Sequence, residues 1–197
     1  MNRPHFIKNI LGLGLLTVWG GQIARSKAHI SEPEGEERSS AEREPIQVLK
    51  QRLILAWQRS ETMTMTNVKQ MPSEHFTFKY TPEAMSFAEQ WRHCVIYTCG
   101  QIAGRTGLTN PYENIKLPVQ MSKEHVITEL GNMYAWVRQS IMNLTEEQLC
   151  SNCEFAGDTI PVWRLFYAME NHIIHHRGQC VVYLRLSGVV PKGYYGW

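Results

Sequence analysis

The run from Pro161 to Leu186 constrains this chain more than any other stretch, because it is apolar on nearly every side. A helix with Trp163, Leu165, Phe166, Tyr167, Met169, Ile173, Ile174, Val181, Val182 and Leu184 pointing in several directions belongs at the centre of a fold. The run therefore predicts a core helix in contact with every other long element. It also contains Asn171-His172-Ile173-Ile174-His175-His176-Arg177-Gly178-Gln179, with three histidines in five residues. His172 and His176 are four apart, which stacks both imidazoles on one helical face, close enough to share an ion. Burying these rings among Ile, Val, Leu, Tyr and Phe is costly unless their nitrogens find partners. They are ligands, or else core histidines bonded to carbonyls.

Upstream, the same period recurs. Ile46, Leu49, Leu53, Ala56, Trp57 and Met63 predict an amphipathic helix from Ile46 to about Lys69. Met71 to Pro82 interrupts it with two prolines, and Phe76, Phe78 and Tyr80 alternate like an extended segment packed on one side. A second helix runs from about Ser86 through Ile102, bounded by Gly104. After a long loop to Met121, Ser122 caps a third helix whose Val126, Leu130, Met133, Trp136, Val137 and Ile141 form one stripe. Thr145 to Ile160 reads as irregular, Pro161 suits the first turn of the fourth helix, and Gly188 and Pro191 end it. No strand alternation rivals these periods, so the fold class is all-α, a four-helix bundle.

The ends of the chain are of another kind. Arg3 and Lys8 precede an apolar stretch, Ile10 to Gly21, too short to span a bilayer comfortably, and Ser26, Lys27 and Ala28 follow. Residues 1–28 thus read as a secretory signal peptide, with an uncleaved anchor as the alternative. Residues 29–45 are charged and poor in apolar side chains, a flexible acidic spacer, and 46–197 has the size of one domain. The expected location is periplasmic or extracellular, with no membrane association once the signal is removed. A net charge of +2 without a basic stripe gives no case for nucleic acid. Cys150 and Cys153 form a C-x-x-C without a second such pair, so in an oxidising compartment a disulfide, local or long-range, is expected. Cys180 reads as a small buried hydrophobe.

Two histidines make an incomplete site, since zinc or a similar ion takes at least three protein ligands. Of the other six, His5 and His29 lie in the signal and spacer, His75 in the proline-bounded loop and His125 in the first turn of helix three. His93, in the middle of helix two, is the natural third ligand. Three neutral imidazoles leave a divalent ion its full charge and a position for water, whose pKa drops toward neutrality. Zinc, nickel, iron and manganese all suit such a donor set. Gln179 and Tyr183 continue the stripe from His176 by three and seven, as packing groups or as hydrogen-bond partners of the ligands or of a substrate.

The Ser86 to His93 run, the His172 to Gln179 run with Tyr183, Leu184, Arg185 and Gly188, and the closing Val190, Pro191, Tyr195 and Gly196 resemble the DinB-like (damage-inducible) family of small bacterial metalloproteins. The resemblance covers about Ile46 to Trp197. It implies an up-down-down-up four-helix bundle, often a homodimer, with one divalent metal ion on His93, His172 and His176 and with His175 beside them in a supporting or structural role. Activities it implies are those of a metal-dependent hydrolase or thiol-type transferase acting on a small-molecule substrate. The rival is a non-catalytic metal-binding or stress-related interaction protein in which the ion is structural. A secretion signal departs from the family's usual cytoplasmic membership.

Overall fold

The computed structural model describes residues 45–193. The expected signal peptide, and the spacer except for Pro45, lie outside the described residues. Four long helices dominate: α1 (Ile46–Gln70), α2 (Phe87–Thr106), α3 (Lys123–Asn143) and, after a short α4 (Glu146–Cys150) and a hairpin, α5 (Val162–Leu186). They form the expected up-down-down-up bundle. Both α1 and α2 pack against α3 and against α5. The pairs α1/α2 and α3/α5 thus stand across the core from each other. Leu53 and Trp57 of α1, Trp91 of α2, Leu130 and Tyr134 of α3 and Phe166 of α5 fill that core, all fully buried.

Contact between the last long helix and all three others is an expectation that needs correction, because α5 does not pack closely against α3. In a square of four helices each has two neighbours and one diagonal, whatever its composition. The surplus apolar side chains face out instead: Ile174 is 41 % exposed, Val182 48 % and Leu186 57 %.

Local chemistry sets the helix ends. Ser86 and Glu89 form a capping box at the start of α2, with the Glu89 N–H donating to Ser86 Oγ (3.2 Å) and the Ser86 N–H donating to Glu89 Oε2 (2.7 Å). This box fixes where His93 falls in the second turn. The helix does not stop at Gly104; it runs to Thr106 and ends at Gly107, whose φ of 73° is the left-handed conformation that a helix terminus uses. A glycine inside a helix only weakens it.

Residues 145–160 are not irregular. Thr145 and Gln148 make a second capping box that starts α4. Strand β1 (Asn152–Phe155) then pairs antiparallel with β2 (Asp158–Pro161) around Ala156 and Gly157, both at positive φ, as a two-residue hairpin turn requires. Pro161 consequently stands just before α5 and not in its first turn. The stretch before α2 holds no strand: a single 3₁₀ turn (Ser73–His75) leads to a buried Phe76, while Tyr80 is exposed. The disulfide expectation also fails, since all five cysteines are free. Cys94, Cys99 and Cys180 are buried, Cys150 is exposed at the end of α4, and Cys153 packs on the core from β1.

Candidate metal centre

The second turn of α2 faces the middle of α5, and there three imidazoles meet. His93 Nε2 lies 3.1 Å from His172 Nε2, which lies 3.1 Å from His176 Nε2. All three nitrogens fall within 4.8 Å of one another. Two nitrogens bound to one zinc are about 2.9 Å apart at a right angle and about 3.4 Å apart at the tetrahedral angle. A separation of 3.1 Å lies between these values, so the three nitrogens could hold a common ion.

Hydrogen bonds among the rings account for the cluster less well. His176, 7 % exposed, points Nδ1 at the side-chain oxygen of Gln90, which can only accept. The Nδ1 proton is therefore in place and Nε2 is a bare lone pair facing the other rings. His172 Nδ1 is buried without a partner, so the protein fixes no tautomer for this ring. A single proton on His172 Nε2 would serve one of its two neighbours. One cation would serve all three nitrogens, and the donor set fits it.

The electrostatics are consistent with neutral ligands. Burial holds the pKa of His93 below its ordinary value. Burial, then repulsion from the neighbouring histidines, lowers His172 and His176 to about 4. No carboxylate or thiol joins the three among the described residues. Cys94, next to His93, is buried in the core with its thiol pushed well up by desolvation. Tyr97, one turn beyond His93, lays its ring along His93 and His172 at centroid distances of 5.3 and 4.5 Å and forms one wall of the centre.

The remaining sequence candidates divide. His175 is exposed, meets His176 edge-on at 5.2 Å, and accepts at Nε2 from the Gln179 amide (2.7 Å). Gln179 accordingly belongs to the solvent face and not to the ligand face; its partner is the histidine four residues back. Tyr183 is buried against Phe78, Tyr80 and Phe87, and its hydroxyl donates to the Met85 carbonyl. It reaches the centre only through Gln90, whose side-chain hydrogen bond opposes the upward push of burial on the phenol. Gln90 is the residue that sequence reasoning missed. Its signal was a polar side chain three residues before His93, on the same face of α2.

The sequence pattern of the DinB family matches residues 46–197. No curated protein matches the chain. Among solved structures, a DinB-like protein of Bacillus subtilis superposes with a TM-score of 0.59 at 19 % identity, over 73 % of this chain and 97 % of that one. Another, from Bacillus cereus, gives 0.62 at 20 % identity, over 73 % and 95 %. At these identities the likeness is one of fold.

Proposed function

The chain belongs to the DinB family, and on that premise we propose that it is an exported metal-dependent enzyme, a hydrolase or thiol-type transferase acting on a small molecule, with His93, His172 and His176 holding one divalent ion. The observation that carries this reading is the convergence of three Nε2 atoms with no fourth donor among the described residues. A structural ion is usually closed off by four protein ligands, whereas three leave room for substrate. When bound, the ion supplies a Lewis acid and lowers the pKa of water.

The chain's own side chains do the rest. Gln90 holds the proton on His176 Nδ1, which turns the Nε2 lone pair toward the focus. Burial keeps the rings unprotonated near neutral pH. The Tyr97 ring narrows the approach from one side. Export is supported by the basic residues Arg3 and Lys8 ahead of the apolar Ile10 to Gly21 run.

Chelation tests the reading. The apolar core is extensive without the histidines, so stripping the ion should leave the helical circular dichroism intact. Turnover of a panel of p-nitrophenyl esters and thiol-conjugation probes should be lost on stripping and restored by one equivalent of metal. Unfolding on chelation would overturn the proposal in favour of a structural ion.

A further inference from the structure

The turn of α5 that presents His176 to α2 presents Arg177 and Gly178 to α1. There a cavity of about 240 Å³ opens between the two helices, with Lys192 and Gly193 at its margin. The Gln70 side chain ties that margin down, donating to the Val190 carbonyl and accepting from the Lys192 N–H, each at 3.1 Å. Small-molecule pockets are commonly above about 300 Å³, so this volume suits a small ligand.

The lining has two chemistries. Met63, Ile174 and Val181 supply an apolar wall, while the charges are those of Arg177 and Lys192, with no carboxylate among the described lining residues. The Arg177 guanidinium makes long contacts to α1, 3.4 Å to the Ser60 carbonyl, 3.5 Å to Ser60 Oγ and 3.4 Å to Thr64 Oγ1, and its charge partly offsets the upward push of burial on the Glu170 carboxyl. Asn67 lines the cavity while only 6 % exposed, and its buried side-chain oxygen has no partner. Gly178 leaves its part of the wall bare: a Cβ there would meet nothing within 4 Å. A glycine in mid-helix weakens the helix, and no close approach of backbone or side chain requires one here.

We propose that this cavity is a second ligand site, separate from the histidine centre, for a small amphiphilic carboxylate such as a medium-chain fatty acid. The tail lies on Met63, Ile174 and Val181, and the carboxylate lies between Arg177 and Lys192. An oppositely charged head group is what two cations recognise, and an uncharged head group leaves them unmatched. The site does not depend on the metal assignment.

Isothermal titration of the full chain with sodium octanoate, 1-octanol and octylamine tests it. Octanoate should bind one to one and at least about tenfold more tightly than 1-octanol, the difference that a charge-assisted hydrogen bond makes, and octylamine should not bind. Gly178→Leu fills the cavity and should abolish octanoate binding while the melting temperature holds or rises. Lys192→Glu, at an exposed position on the margin, should weaken octanoate severalfold without touching the core. His93→Ala should leave octanoate binding unchanged, which separates this site from the metal centre. Absence of octanoate binding overturns the proposal, as do equal affinities for octanoate and octanol or binding that survives Gly178→Leu and Lys192→Glu.

Discussion

Replacing Gln90 with leucine removes the contact that fixes the His176 tautomer. In the wild type the His176 Nδ1–H is buried against the Gln90 side-chain oxygen, with the ring 7 % exposed. Leucine keeps the volume and strands that N–H in an apolar wall, a loss of about 1–3 kcal/mol of stability for a buried donor left unpaired. The imidazole then has two ways out, both harmful to metal binding: it can swing toward water, or move its proton to Nε2 and present a hydrogen where the lone pair was. Removing such an outer partner typically weakens metal affinity by about 10- to 100-fold. Competition against a chromophoric chelator measures that affinity, and urea unfolding of the metal-free protein measures the stability. Gln90→Glu should restore binding, since a carboxylate accepts from Nδ1 at least as well. A Gln90→Leu protein that binds zinc as tightly as wild type would refute the role given to this hydrogen bond.

Other expectations follow from the same structure. Above the ordinary histidine pKa of 6.5 the folded and unfolded chains are equally neutral at His172 and His176; below it the unfolded chain takes protons that the folded sites, lowered to about 4, refuse. Metal-free protein should thus lose stability as pH falls from about 6.5 toward 4, and less so in His172→Gln, by urea titration at a series of pH values. Gly104→Ala and Gly107→Ala should diverge in melting temperature. The first sits within α2 with open space at its Cβ and should be neutral or stabilising by up to about 1 kcal/mol, whereas the second forces a side chain into φ 73° and should cost about 1 kcal/mol or more. Ser86→Ala removes the capping box and should cost about 1 kcal/mol of unfolding free energy. Leu130→Ala, at a fully buried position, should cost about 2–5 kcal/mol by the same assay.

What the sequence disclosed depended on period. Stripes such as Val126, Leu130, Met133, Val137 and Ile141 repeat over about four turns and are buried where the repeat puts them, while Trp136 of the same stripe is half-buried against the core. His93 could be singled out because it lies in mid-helix, away from loops and ends. Period says nothing of neighbours, however: an apolar surface all round α5 does not reveal that α3 stands diagonally from it. The hairpin was hidden because each strand has four residues, too few for alternation to register, and because its turn asks Ala156 to adopt a positive φ that alanine does not advertise. Gln179 was drawn to the wrong partner because three residues is not a full turn, and His175, four back, takes its amide instead. Gln90 stood in the Ser86 to His93 run without an assigned role, because only the packing of α5 brings His176 Nδ1 to it.

Metal content tests the central claim most directly. Wild-type protein and the His93→Ala, His172→Ala, His176→Ala and His175→Ala variants, purified without added metal, are to be analysed by plasma mass spectrometry alongside circular dichroism to confirm the fold. His175 is the internal control, three residues from one proposed ligand and adjacent to the other, yet exposed and bonded to Gln179. The account predicts about one equivalent of a divalent metal in wild type and in His175→Ala, and loss of it in the other three, as expected of a site built from three imidazoles. Equal loss in His175→Ala, or full occupancy after His93→Ala, would contradict it.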